Sequence, residues 1–340
     1  MTTSASAPET EAPWTVRRLL GWTTERFEAV GIESPRVDAE HLLAFALRCS
    51  RMSLYLEHDK LVEASERAVF RELVKRRLAR EPVAYIEGKR GFHALGLELH
   101  VDRRVLIPRP ETELLVDWVL EELAGPRPRP PWPEETEVLV EDQDEDEPAL
   151  ESAPAPAVEP EPAPEPPPPD ERAVLDVGTG SGAIALAIKH ARSTLRVMAC
   201  DVSEDALAVA HDNAQRLGLD VPMVRSDLLS GIPRPEGGWA VIVANLPYIC
   251  APVLRALAPE VQRFEPMLAL DGGTDGLDVI RRLVAEAPEQ LAPGGALYLE
   301  IGYDQGDSVP ALLCARGLVD VAVRKDYAGH PRIVRGRRAG

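Results

Sequence analysis

Two short runs of this 340-residue chain carry groups that could do chemistry: Asp176-Val177-Gly178-Thr179-Gly180-Ser181-Gly182 and Asn245-Leu246-Pro247-Tyr248. A glycine-rich turn lets a ligand approach the backbone closely, and at a helix N-terminus it presents N–H groups to a bound cofactor. Asn245 supplies a side-chain oxygen and Leu246 a backbone carbonyl. Together they can accept both N–H groups of an amide or an aromatic amine. The lone pair of such a nitrogen is delocalised, so the site must work by fixing it against an electrophilic methyl rather than by strong base. Pro247 stiffens the loop, and Tyr248 can wall a slot for the planar group. Each run is ambiguous alone. A Gly-x-Gly-x-Gly turn could serve a dinucleotide, although the usual dinucleotide pattern is Gly-x-Gly-x-x-Gly. Asn-x-Pro also makes ordinary turns.

Two further acids extend the first run. Asp201 lies 23 residues after Gly178 and can accept hydrogen bonds from both ribose hydroxyls of an adenosine, or else cap a helix that begins near Ser203. The Asp227 side chain and the Leu228 backbone would border the adenine, with a plain turn role open for Asp227.

The elements that must place these residues alternate between strand and helix. Buried strands are expected at 173–177, 195–200, 221–224, 240–244 and 296–301, with helices at 183–190 and 204–217. That βαβ rhythm predicts a doubly wound parallel sheet with helices on both faces, and it puts both runs at carboxyl ends of strands.

The first part of the chain is different. Residues 14–80 read as helices: Leu19, Leu20, Phe27 and Val30 recur at helical spacing, with Gly31 as a stop. Ser34-Pro35 looks like an N-cap followed by proline at the first helical position, before Val37, Leu42, Leu43 and Leu47. A third helix at 65–80 carries Val69, Phe70, Leu73, Val74 and Leu78. Its Lys75, Arg76, Arg77 and Arg80 either complement the helix dipole or meet a phosphate or an acidic partner. Alternating apolar positions from Phe92 to Val101 suit a hairpin, and a helix at 111–123 follows Pro108 and Pro110.

Composition adds one large feature. The formal charge is -18, but residues 134–171 hold 15 Asp or Glu and no Lys or Arg, which leaves about -3 for the rest. Residues 125–171 also hold 15 of the 32 prolines and are expected to be a disordered linker, with Val138-Leu139-Val140 too isolated for a strand. The acidity therefore says little about the folded surface. Four scattered cysteines form no metal-like or redox spacing, so reduced thiols and no metal are expected. No run reaches the ~18 apolar residues of a membrane span, and the N-terminus lacks signal-peptide character. A cytoplasmic protein without membrane contact is expected. The units are a disordered tail (1–13), a helical domain (14–82), a hairpin and connecting helix (83–124), the linker (125–171) and a catalytic domain (172–340).

Four more runs give the chain a resemblance. They are Ser34-Pro35-Arg36-Val37-Asp38-Ala39-Glu40, Glu81-Pro82-Val83-Ala84-Tyr85-Ile86, Ile107-Pro108-Arg109-Pro110-Glu111-Thr112-Glu113 and Arg263-Phe264-Glu265-Pro266. With the glycine turn and the Asn245 tetrad they resemble the HemK/PrmC family of release factor glutamine N5-methyltransferases, over residues 15–124 and 172–336. The resemblance implies a class I S-adenosylmethionine-dependent fold with a mostly parallel seven-stranded sheet. It also implies a helical domain that docks peptide chain release factors, and methylation of the glutamine in their Gly-Gly-Gln loop without direct nucleic-acid contact. The cofactor loop then falls on residues 178–182, supported by Asp176, with Asp201 as the ribose acid and Asp227 and Leu228 at the adenine. The substrate clamp falls on Asn245, Leu246, Pro247 and Tyr248, with Asn245 also facing the cofactor. Phe92 would line the glutamine pocket, or else be core. Two departures stand out. The family usually has Asn-Pro-Pro-Tyr where this chain has Leu246, and its connection is far shorter than residues 125–171. Asn-Leu-Pro-Tyr is the form seen in ribosomal RNA adenine dimethyltransferases, which makes an N6-adenine methyltransferase the chemical rival. A ribosomal-protein glutamine methyltransferase and a cofactor-dead scaffold also stay open.

Overall fold

A computed structural model describes residues 13–124 and 172–340. Expectations for the tail, the linker and Val138-Leu139-Val140 lie outside the described residues, apart from Pro13.

The first layer is helical: α1 (Val16–Ala29), α2 (Pro35–Leu47), α3 (Arg51–Leu56), α4 (Ala64–Leu78) and α5 (Val83–Glu87). Thr15 caps α1 by accepting from the Arg18 amide, and Ser34 occupies the N-cap of α2 ahead of Pro35 but makes no side-chain cap bond. Leu19, Leu20, Phe27, Leu42, Leu43, Phe70, Leu73 and Val74 share one core. Val30, Val37 and Val69 are exposed instead. Val30 lies just beyond α1, where its carbonyl accepts from Arg80. Val37 sits in the first turn of α2, and Val69 flanks the Phe70 stripe.

The hairpin β1 (Lys89–Phe92) and β2 (Leu97–His100) leads to α6 (Pro110–Ala124). Then come β3 (Ala173–Val177), α7 (Ala183–Ala191), β4 (Arg196–Asp201), α8 (Glu204–Leu217), β5 (Met223–Arg225) and β6 (Trp239–Ala244). The short helices α9 (Ala251–Leu254) and α10 (Pro259–Phe264) precede α11 (Asp278–Gln290), β7 (Leu291–Glu300), α12 (Ser308–Ala315), β8 (Val319–Lys325) and β9 (Pro331–Arg337). The seven-stranded sheet has the order β5-β4-β3-β6-β7-β9-β8. Its first five strands pair in parallel, and β9 pairs antiparallel with both β7 and β8. Periodicity points to the five parallel strands. The antiparallel pair arrives through the resemblance, because β8 is too exposed to leave a clean apolar run.

Strand order reverses on either side of β3, and the crevice at such a switch point is where open α/β sheets bind ligands. Val177 pairs with Ala244 across β3 and β6, so the turn after β3 and the loop after β6 leave the sheet side by side. Sixty-odd residues of sequence separation thereby collapse to one strand spacing, about 4.8 Å.

The helix α6 belongs to the sheet layer. Leu115, Val116, Trp118, Val119 and Leu123 enter the same core as Val174, Ile184, Leu186, Val241 and Tyr298. Where the chain leaves α6 it also returns: the Leu123 carbonyl accepts from Arg172 at 2.5 Å and from Arg192 at 2.7 Å. A short connection can therefore join these two points, and loop-closure entropy changes only slowly with length. Deleting residues 143–170 is expected to change the chain's activity by less than about twofold and to leave thermal unfolding nearly unchanged. A larger loss in either assay would show that the insertion has a structural role.

Candidate active site

The glycine turn closes β3 by hydrogen bonds from the Gly178 and Thr179 amides to the Cys200 carbonyl, at 2.9 and 3.0 Å. Gly178 has φ +75°, and a Cβ there would stand 3.1 Å from Leu246 Cδ2. Gly182 has φ +85° at the start of α7, where a Cβ would meet Leu186 at 2.8 Å. The first glycine thus admits the tetrad and the second admits a helix. Asp176 lies behind the turn, fully buried, with Oδ2 accepting from the Thr179 hydroxyl (2.6 Å) and the Ala185 amide (3.2 Å). Asp201 ends β4 with one oxygen on the Gly180 amide and the other on the Ser203 amide, both 2.9 Å. The cap of α8 itself is Ser203, whose hydroxyl accepts from the Ala206 amide. Asp201 therefore bridges two loops while still facing the cavity.

That cavity holds about 600 Å³. Of the residues singled out from the sequence, Gly178, Thr179, Gly180, Ser181, Asp201, Asp227, Leu228, Asn245, Leu246 and Pro247 line it. Asp176, Gly182, Tyr248 and Phe92 do not. Asp176 and Gly182 shape the turn from behind. Tyr248 packs against the sheet core and directs its hydroxyl to Glu300 Oε1 at 3.4 Å, so it braces the loop instead of walling the cavity. Phe92 is 2% exposed among Leu97, Leu99 and Leu115, which fits the core role that the sequence also offered. In β1 its side chain alternates to the face turned towards the core. Asp227 pairs with Arg282 at 2.7 Å, a partner 55 residues away that the sequence does not announce.

Several contributors escape a reading of the motifs. Asn245 Nδ2 donates to Thr112 Oγ1 at 3.1 Å, and Thr112 donates to the buried Glu300 Oε2 at 2.7 Å. Ala244 pairs with Leu299 in the sheet, which sets Asn245 beside Glu300. The buried Gln305 amide donates to the carbonyls of Tyr248 and Gly276, both at 3.1 Å, and its oxygen accepts from the Gly302 amide. Arg109, which lines the cavity, pairs with the buried Glu265 at 2.5 Å, joining two of the family-like runs. Met267 and Leu268 form an exposed apolar lip. Motif position could have marked Thr112 and Arg109. Gln305 and Glu300 leave no local signal.

The same residues fit an adenosyl cofactor: an open glycine turn, a partly buried acid at the end of β4, and apolar walls from Val202, Leu228 and Val279. No cluster among the described residues could hold a metal ion.

Burial drives two carboxyls upwards, Asp176 to about 7 and Glu300 to about 7. Unfolded carboxyls titrate near pH 4. Between about pH 4.5 and 7 the folded chain consequently holds more protons than the unfolded chain, and stability falls as pH rises through that window. Glu81, Glu122 and Asp102, held below the usual carboxylate range by arginine partners, act in the opposite sense only at lower pH. The melting temperature is expected to be higher at pH 5.5 than at pH 8, with Asp176→Asn flattening the slope. A melting temperature that climbs steadily from pH 5.5 to 8 would contradict the burial argument.

The switch-point crevice, the strand order and the glycine turn beside an Asn-x-Pro-Tyr loop define a class I methyltransferase. Residues 174–264 match the family model of a methyltransferase domain, and residues 18–88 match the PrmC N-terminal domain. A release factor glutamine methyltransferase of Rhodopirellula baltica is 37% identical over 97% of this chain and 98% of its own length. One from Geobacter sulfurreducens is 37% identical over 96% and 99%. A solved protein-(glutamine-N5) methyltransferase (release factor-specific) from Alicyclobacillus acidocaldarius aligns at 26% identity, covering 69% of this chain and 95% of its own, with a TM-score of 0.36. On the near full-length identity to the curated relatives, the chain belongs to the release factor glutamine methyltransferase family.

Proposed function

We infer that this enzyme transfers a methyl group from S-adenosylmethionine to the side-chain amide nitrogen of a glutamine in peptide chain release factors, the glutamine of their Gly-Gly-Gln loop. The observation that carries this reading is the orientation of Asn245. Its Nδ2 is committed to Thr112, so its Oδ1 is the end left for the cavity. That oxygen and the Leu246 carbonyl are two acceptors matched to the two N–H groups of a primary amide. When bound, the cofactor supplies the electrophilic methyl. Gly178 to Ser181 and Asp201 would hold the cofactor, with Asp227 and Leu228 at the adenine. The chain's own contribution is to fix the nitrogen at the methyl and to keep that arrangement rigid, which is where most of the rate enhancement in such a reaction must come from.

Leu246 supports the reading despite the missing proline. Its side chain is buried against the glycine turn, so packing supplies rigidity that a proline ring would supply covalently. The cytoplasm is the expected compartment; no helix among the described residues is long and apolar enough to cross a membrane. The decisive assay presents labelled S-adenosylmethionine with purified release factor, ribosomal protein and ribosomal RNA in parallel. Label is expected in the release factor. Label found only in RNA would overturn the protein-substrate reading.

A further inference from the structure

We propose that Glu300, acting through the Thr112 hydroxyl, is a positioning residue that dictates which end of the Asn245 amide faces the substrate. The inference rests on the clamp role given to Asn245 above. Its basis is the direction of each hydrogen bond in a chain of three groups. An ionised carboxylate has no proton to give, so Thr112 must donate to Glu300 Oε2, 2.7 Å away. Having spent its one proton, the Thr112 oxygen can only accept from Asn245, 3.1 Å away. Asn245 must therefore offer its NH2 end to Thr112, and its oxygen is left as the acceptor in the cavity. Asparagine alone carries no such preference, because its two ends are nearly the same size.

The groups arranged around Glu300 make this polarity reversible. Thr112 and Glu111 face it from α6, the Tyr248 hydroxyl from the loop after β6, and the Arg332 guanidinium from β9. Burial raises its carboxyl towards neutrality while Thr112, Arg332 and Tyr248 oppose the rise. A protonated Glu300, or a glutamine in its place, can donate to the Thr112 oxygen. Thr112 is then free to donate to Asn245, and the amide gains a satisfied alternative in which its NH2 end points into the cavity. A donor would then meet the donors of the incoming amide. Both arrangements are fully hydrogen-bonded, so the fold survives while the clamp is lost.

Glu300→Gln is therefore expected to lower kcat about 10- to 100-fold, with KM for the release factor changed less than about threefold, since the rest of the protein substrate still docks. The wild-type kcat should decline as pH falls below about 7, and the variant should lose that limb. Thr112→Val is expected to reproduce the loss and Thr112→Ser to recover most of it, a pair that carries the test if Glu300→Gln does not fold. The side-chain amide resonances of Asn245, assigned in 15N-labelled protein by their absence from Asn245→Ala, give a readout without any substrate. They should move in Glu300→Gln and in Thr112→Val, and stay near wild type in Thr112→Ser. Wild-type protein that transfers no label to release factor would sink the functional reading and leave this comparison standing. Unmoved Asn245 resonances and an undiminished kcat in Glu300→Gln or Thr112→Val would overturn the relay.

Discussion

Asn245→Ala is expected to lower methyl transfer about 10²- to 10³-fold or more while leaving cofactor affinity within about threefold. The truncation removes the proposed side-chain acceptor for the glutamine amide and nothing that holds the glycine turn. Thr112 keeps its bond to Glu300 and loses only a donor to an oxygen already engaged, so the cost to folding is small. In the proposed cofactor site, Asp201 is held by the Gly180 and Ser203 backbone amides, which do not touch Asn245. A loss of this size corresponds to about 3–4 kcal/mol, what one preorganised hydrogen-bonding group supplies in a water-excluded site. Single-turnover methyl transfer together with calorimetric titration of S-adenosylhomocysteine would check both halves. An Asn245→Ala enzyme with ordinary turnover would remove the clamp mechanism altogether.

A second large effect is expected far from the cavity. Arg77 in α4 is 5% exposed, with Nε on Asp38 at 2.7 Å and a terminal nitrogen on Glu260 at 2.9 Å. Glu260 stands at the start of α10, and Arg80 joins it at 2.8 Å while also donating to the carbonyls of Val30 and Gly31. Three elements distant in sequence thus meet on two arginines. Arg77→Ala would leave the Asp38 and Glu260 carboxylates facing each other with little water to screen them. Removing one member of a buried pair costs about 3–5 kcal/mol. Melting should fall by about 10 °C, and Arg77→Ala combined with Asp38→Asn should recover part of the loss. A fall below about 1 kcal/mol in denaturant titration would place these groups with ordinary surface pairs.

The same arginines show where sequence reasoning stops short. By spacing alone, Lys75, Arg76, Arg77 and Arg80 are dipole complements or contacts for an outside acid. Lys75, Arg76 and Arg77 do stand in the last turn of α4, and all four also find carboxylates of this chain: Glu72, Glu81, Asp38 and Glu260. Helical spacing reports which face a residue occupies and says nothing about a partner 180 positions away. The glycine turn and the tetrad are legible because each rests on local backbone chemistry, and the βα rhythm alone places both at strand ends. The meeting of Thr112 with Glu300 is not, because it depends on how α6 lies over the sheet and on the register of β7 against β6. Phe92 shows the converse: an aromatic in a family-like position suggests function, and its alternation in β1 delivers it to the core.

The Arg172 side chain reaches the Leu123 carbonyl, which ties together the described chain on the two sides of residues 125–171, and α6 packs on the sheet through its apolar side chains. Severed at this point, the molecule becomes two complementary fragments, residues 1–124 and 172–340, whose shared core includes Trp118, edge-on to Tyr298 with ring centroids 5.4 Å apart. The active site would then straddle the seam, Thr112 on one fragment and Asn245 on the other, so methyl transfer would report their reassembly.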